Sequence, residues 1–573
     1  MKNILEKLAA LFVASALLIS CSDDTDLLNE DEYVGVNAEL YSGLWGIASL
    51  VADVADQAPI LEGLRGDLLE PTENAPTELW NIWNYGDLTG NTHADPAGYY
   101  RIIMNVNDYV KHVDDYRKAN PTSLVFEEKY GVTFELYIST AIRYKVWAYM
   151  MLAKIYGEAA YFDDPLTEYQ DIAKYPVLDL DGVLNKCIEL MNTGMYGVDG
   201  LQVTRWAKFL FPSMTGENAS IQQFDRYQFT PWILLSELYL WTGNYQLAYN
   251  NIVQEITNSG FVSGGECYTC CLRGAYSSGW KNALHTYYRW EDVVMASYTP
   301  RQGQTNRLED YASDAHPYSY YVRPTQVAID RFDTTSVACT ENAVKSDRYR
   351  GRGATFTENE AGNLVLTKWI TGITQDAATE RIIAIYRAGG LHLMLCEALA
   401  GLARTADADM RDAYIEAALV IMNQGIGTYW NTEIGAYRIG SCFDMIPGFP
   451  GNLYCGTNHT MSSSQYINKG VRGRVAMGNV GTDILSTTMS PDSTYAPLYS
   501  AEEQLWKLDS LIAEENFFEL SGEGHVMYNM YRLMRRNPEN RDFFVKWVAA
   551  GRADAEAALL DDKGWFVNYK FAN

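Results

Sequence analysis

The chain predicts a mainly α protein, a single scaffold of stacked helix pairs interrupted by long irregular loops, and three observations predict it. Apolar residues recur at helical spacing through the first half and again near the end. Some of these stretches close into antiparallel pairs across short turns. Between roughly residues 260 and 380, and again from 425 to 500, the pattern gives way to Gly, Ser, Thr, Asn and Tyr without sustained period, the composition of binding loops and insertions.

The first element is not part of that scaffold. Lys2 and Lys7 precede an apolar run, Leu8 to Ile19, that is too short to cross a bilayer comfortably as a permanent helix. Residues 1–20 therefore read as a signal segment. Leu18-Ile19-Ser20-Cys21 then fits the site of lipoprotein signal peptidase, a branched residue and a small residue before a cysteine whose thiol takes diacylglycerol. The competing reading is an ordinary secretory peptide with an incidental cysteine. Acyl chains on Cys21 would anchor the protein at about 0.8 kcal/mol per buried methylene. Residues 21–40, opening on Ser22-Asp23-Asp24-Thr25-Asp26, read as an acidic tether, and 41–573 as one helical body.

Along that body the spacing predicts helices over Ala97 to Val113 and over Thr133 to Tyr156, with Gly157 placed as the stop. Asp179-Leu-Asp181-Gly182 resembles the start of a calcium loop, but the following Val183 and Leu184 read as helix, so the acid is expected to be a cap. Thr230 caps a helix with Pro231 at its first position, running through Leu234, Leu238 and Trp241 to a turn at Gly243-Asn244. Tyr245, Ala248, Ile252 and Ile256 line the return helix, and the two together match a tetratricopeptide repeat unit. Ile382 to Leu402 pairs with Met410 to Asn423, and Ala501 to Arg536 reads as one further long helix. A single pair cannot bury both faces, so the pairs are expected to stack.

Charge and cysteines exclude several functions. With 72 acidic against 45 basic residues, the net charge of -27 repels phosphate backbones, and nucleic acid is not an expected partner. Apart from the signal segment, no apolar stretch of membrane-spanning length is expected. Cys267-Tyr-Thr-Cys270-Cys271 lacks a second Cys/His pair at zinc-ligand spacing, so no metal and no other cofactor is expected. A disulfide within that loop, or between Cys442 and Cys455, is compatible with export. Cys187 and Cys396 sit among apolar residues in helical patterns and read as core thiols.

No G-x-S-x-G, H-E-x-x-H, Walker or G-x-G-x-x-G pattern is present, and no catalytic residue is assigned. His525, in a Glu-Gly-His segment, reads as a structural hydrogen-bonding residue. Binding is better supported. Aromatics make up 13% of the chain, with 14 Trp and 41 Tyr, and such rings offer a flat apolar face with a polar handle to the C–H face of a sugar. Three clusters combine rings with hydrogen-bonding neighbours outside clear helices: Trp80, Asn81, Trp83 and Tyr85; Trp280, Asn282, Tyr287, Tyr288 and Trp290; and Tyr318, Tyr320, Tyr321 and Arg323. Packing rather than ligand contact is the competing role for each, as it is for Trp147, Trp232 and Trp241.

In this order the segments resemble the SusD/RagB family of Bacteroidetes surface lipoproteins. Tyr100 to Asn107, Ala141 to Tyr161, Leu234 to Ala248, Tyr386 to Ala400 with Cys396-Glu397-Ala398, and Glu514 to His525 each look like a family segment, in the family's order. Val526 and Asn529 stand where its signature usually has Arg and Asp, and its usual proline-rich close is absent. The resemblance implies a SusD-like fold, surface export marked by the acidic run after Cys21, and an outer-membrane location facing outward. It also implies glycan capture and delivery to a SusC-like TonB-dependent transporter, with peptide or glycopeptide capture of the RagB kind as the alternative and a surface hydrolase as the remote one.

Overall fold

The computed structural model describes residues 33–119, 134–166, 169–195, 228–258, 294–298, 307–335, 347, 349–370, 383–423, 425, 428–431, 436–439, 441–449, 470–475, 477–489 and 495–570. The signal segment, Cys21, the cysteines at 267, 270, 271, 339 and 455, and the whole Trp280 to Trp290 cluster lie outside the described residues. A helix, Tyr33–Val54, begins inside the segment read as tether.

The centre of the fold is the helix Phe134–Tyr156, of which every residue except Glu135 and Tyr156 is buried. A helix buried on all sides must have neighbours all round. Ala97–Ala119, Leu180–Thr193, Pro231–Trp241 and Tyr33–Val54 supply them. Contrary to the sequence reading, Glu39–Arg65 is long and apolar enough to cross a membrane, but 67% of its apolar window is buried inside the protein. Its apolarity is accounted for by core packing.

Local chemistry starts the helices where the sequence predicts. The Thr230 hydroxyl accepts from the Ile233 N–H at 3.2 Å with Pro231 at the first turn, and Asp179 accepts from Gly182 at 2.8 Å, an ordinary cap. Gly157 ends the central helix at φ +76°, where a side chain would meet the Phe566 ring. Pro231–Trp241 and Tyr245–Asn258 form the expected pair, and Ala388–Ala403 packs on both. That last crossing is close because Gly401 has no side chain: a Cβ there would lie 2.2 Å from the Tyr245 ring.

Two predicted helices are divided. Residues Ile383–Arg387 form a strand antiparallel to Val294–Tyr298, and the helix starts only at Ala388. Ile-Ala-Ile-Tyr-Arg is β-branched and aromatic, and periodicity cannot tell so short an apolar run from a helical turn. The long final stretch splits into Ala501–Leu520 and Val526–Arg536. Gly522 (φ +78°) and Gly524 (φ +80°) make the break, and a Cβ on Gly524 would touch Pro59 at 2.9 Å. Backbone approaches backbone there, which only glycine permits. Among the described residues every sheet is a two-stranded ribbon. Cys187 and Cys396 are fully buried free thiols, as is Cys442 within a few per cent.

The loop segments are held to the scaffold by a buried ionic network. Glu519 Oε2 accepts from Arg350 at 3.0 Å, and its Oε1 accepts from Arg387 at 2.9 Å and from Arg474. Arg350 also donates to Glu515 at 2.6 Å and to Asp347 at 2.7 Å, and Arg472 to the other oxygen of Glu515 at 2.6 Å. Arg387 forks onto Glu523 at 2.6 and 2.8 Å, with Lys368 on the same carboxylate. The acids of one helix and its C-terminal turn thus tie down four segments distant in sequence. That is the structural use of the Glu-rich motif. His525 has the role expected of it: its Nε2 lies 2.6 Å from the carbonyl of Ile385, and burial, with Lys154 beside it, lowers its pKa to about 4. The ring is neutral at pH 7 and donates to that carbonyl. Where the resembled signature would carry Asp, Asn529 donates to Asn516 Oδ1 at 2.8 Å.

Candidate functional site

The described face that gathers the predicted rings begins at a short ribbon. Leu69–Pro71 pairs antiparallel with Val322–Pro324, setting Glu70 opposite Arg323. The Arg323 Nε donates to Glu70 Oε1 at 2.7 Å with both groups partly exposed, 42% and 32%. Such a pair adds at most about 1 kcal/mol to stability. It leaves a guanidinium and a carboxylate oriented at the surface.

The strand leads directly into the helix Thr77–Trp83, which packs against it. The Trp80 to Tyr85 cluster is therefore helical for most of its length, where the sequence suggested a loop. Trp80 and Asn81 are half-buried, and Glu73, Asn74, Thr77, Glu78 and Asn84 around them are exposed. Trp80 meets Trp83 edge to face with ring centres 5.8 Å apart. The two rings differ in role. Trp83 packs on the core with the Arg552 guanidinium 5.1 Å from its ring, and Tyr85, at φ +56°, donates its hydroxyl to the Arg65 carbonyl at 2.6 Å. Both hold the helix; Trp80 is the ring left toward solvent.

Arg552 fastens this corner from the far end of the chain. It donates to the carbonyls of Trp83 at 2.9 Å, Leu64 at 3.3 Å, Arg65 at 2.7 Å and Gly66 at 2.5 Å. Arg65 in turn donates to Phe566 O at 3.0 Å, and Tyr569–Lys570 pairs in parallel with Leu88–Thr89. Charged donors on carbonyls are worth about 1.5–3 kcal/mol each when lost. Arg552→Met is expected to lower stability by about 2–3 kcal/mol in urea denaturation, whereas an unchanged midpoint would remove the clamp.

Across the ribbon, the segment before Arg323 is folded on Asp310. Its carbonyl accepts from Ser319 and Tyr320 N–H groups, both at 3.0 Å, and its carboxylate accepts from the Ser319 hydroxyl. Tyr320 is buried at φ +49°, its hydroxyl on the Leu364 carbonyl at 2.8 Å. It therefore supports the face from within. Tyr318 and Tyr321 remain half-exposed, and Tyr321 packs on Tyr311 with centres 5.1 Å apart. Tyr311 reaches His93 at 3.2 Å, and Arg307 pairs with Asp56 through its Nε at 2.7 Å.

The fold thus places the first predicted cluster on a helix packed against one strand of the ribbon and Arg323 of the third on the other strand, while the second, with Asn282, Tyr287 and Tyr288, lies outside the described residues. Glu70 and Arg552 were missed by sequence reasoning. Their partners are hundreds of residues away, 253 for Glu70, and neither sits in a motif. Among the described residues no group of three or more His, Cys, Asp or Glu side chains could hold a metal ion.

A stack of helix pairs carrying short two-stranded ribbons defines a helical-repeat scaffold. More particularly, the fold is SusD-like. It is similar to a SusD superfamily protein from Bacteroides vulgatus ATCC 8482, at 11% identity over 92% of this chain and 91% of that one, with a TM-score of 0.53. A SusD superfamily protein from Bacteroides thetaiotaomicron VPI-5482 shows 14% identity over 92% and 94%, with a TM-score of 0.51. A laminarin-binding SusD-like protein shows 13% over 92% and 98%, also with 0.51. At these identities the likeness is one of fold. No protein-family model matches the sequence, and no curated protein matches it.

Proposed function

We propose that this chain is an outer-membrane lipoprotein, anchored through Cys21 and facing outward, that captures a glycan without chemistry and passes it to a SusC-like TonB-dependent transporter. The observation that carries the reading is that the helix bearing Trp80 and Asn81 packs against the strand bearing Glu70, which the ribbon sets opposite Arg323. An indole can cover the C–H face of a pyranose while amide, carboxylate and guanidinium meet its hydroxyls. The SusD-like fold supports the reading, as does the laminarin-binding relative among the solved structures. Trp280, Asn282 and Trp290 are proposed to contribute from the inserted segment.

Calorimetric titration against a panel of oligosaccharides and peptides tests it. Trp80→Ala is expected to weaken glycan binding about tenfold, or 1.4 kcal/mol. Arg323→Ala should do likewise. Undiminished affinity in both variants would remove this face, peptide binding in place of glycan would favour the RagB-like alternative, and product formation would revive the hydrolase.

A further inference from the structure

The chain carries a second ring platform far from the first in sequence. Thr487–Met489 and Tyr495–Pro497 form an antiparallel ribbon in which Met489 is directly opposite Tyr495. Side chains of a cross-strand pair lie on the same face. Tyr495 is 74% exposed and Met489 64%, so this face is left uncovered by the described residues. The base of the ribbon is fixed. Leu498 N–H donates to Ser486 O at 2.8 Å, Ile484 is buried beneath, and Ser500 begins the next helix with a capping box.

Polar groups gather at that base. Tyr499 donates its hydroxyl to Asp483 Oδ2 at 2.6 Å, Lys507 lies 4.1 Å from the centre of the Tyr499 ring, and its Nζ is 3.7 Å from Asp483. Asp483 and Lys507 are both substantially exposed, at 50% and 37%.

We propose that this ribbon is a second saccharide-contact platform, with the Tyr495 ring stacking on a neutral sugar and the Asp483–Tyr499–Lys507 group hydrogen-bonding at its rim. It rests on the saccharide-capture reading above and adds a second point of attachment for a long chain. Two features favour this occupant. The exposed apolar surface of Met489 and Tyr495 is on the order of 300 Å², given roughly 200 Å² for a large side chain. A stable protein interface needs about 800 Å² per partner. The charges at the base are the carboxylates of Asp483 and Glu503 with the ammonium of Lys507 between them in electrostatic reach, which suits an uncharged polyhydroxylated ligand better than an anionic one. Two weak platforms on one polymer would raise overall binding through effective concentration.

Native affinity electrophoresis of the full chain in detergent tests this, with dextran, inulin, arabinoxylan, galactomannan or laminarin cast in the gel. The wild-type protein should be retarded by at least one polymer. Tyr495→Ala should weaken that retardation by about three- to tenfold, Tyr495→Phe should keep it, and neither should change the melting temperature. Wild-type retardation in Tyr495→Ala sinks the platform, and lack of retardation of the wild type sinks both sites. Loss in Trp80→Ala alone keeps the first face and overturns the second; loss in Tyr495→Ala alone does the reverse. Light scattering completes the test: a dimer dissolved by Tyr495→Ala would make the ribbon a self-interface and overturn the proposal.

Discussion

Glu519→Gln is expected to destabilise the fold by about 3–5 kcal/mol, the usual cost of removing one partner from a buried ionic cluster. Three guanidiniums converge on this fully buried carboxylate, those of Arg350, Arg387 and Arg474. Burial pushes the Glu519 carboxyl up, but the three cations outweigh it and hold it well below the ordinary range. An amide of the same shape keeps the volume and removes the charge. Three guanidiniums would then face a neutral group, although Arg350 still has Glu515 and Asp347, and Arg387 still has Glu523. The loss falls on the attachment of the 470–475 and 347–356 segments to the Ala501–Leu520 helix. Urea denaturation at pH 7 checks it, and a loss under about 1 kcal/mol would mean that the cluster is weaker than a buried ion pair.

The second large effect depends on pH. Glu62 and Glu255 are buried carboxyls without a cationic partner in hydrogen-bonding range among the described residues, and burial raises each to about 8 from 4.5. Glu62 is met by the backbone N–H groups of Met527 and Val526, and Glu255 by the Thr230 hydroxyl. One oxygen of each has no hydrogen-bond partner among the described residues. The unfolded chain releases the carboxyl proton near pH 4.5 and the folded chain only near pH 8. Stability is therefore lost as pH rises between these values and is level above them. At about 1.4 kcal/mol per unit, each carboxyl costs on the order of 4 kcal/mol at pH 8. Glu62→Gln, which removes the titration, is expected to be more stable than wild type at pH 8 and nearly equal at pH 5. Denaturation midpoints at the two pH values decide it; a variant shifted equally at both would show that Glu62 does not titrate in this window.

Other groups set the acid side. Burial raises Glu237, but Lys154, His525 and Arg532 together bring it to about 2, so its contribution is lost as pH falls below 4.5. His525, lowered to about 4, withholds a proton that the unfolded chain takes up from about 6.5, and it too weakens the fold on acidification.

Much of the scaffold was legible because it is local. The Thr230–Pro231 start, the Asp179 cap, the Gly157 stop and the helix pair around Gly243 each depend on residues within a few positions of one another. Two of the misread stretches, Ile383–Arg387 and Ser521 to His525, take their conformation from a distant segment. One is a strand because Val294–Tyr298 lies beside it, and the other is a turn because Pro59 leaves room only for glycine.

For the site the division is sharper. Composition and ring clusters singled out Trp80, Asn81 and Arg323, but gave no sign that Tyr85 and Tyr320 have their hydroxyls on backbone carbonyls inside the fold. Periodicity and capping, which are short-range, determined the central helix of this chain and the pairs Pro231–Trp241 with Tyr245–Asn258 and Ala388–Ala403 with Ala408–Asn423. The ribbon that joins Glu70 to Arg323, the Arg552 clamp and the convergence of four basic segments on Glu515, Glu519 and Glu523 were decided only by tertiary structure. These contacts join residues far apart in sequence, and their strength depends on burial, which no local pattern records.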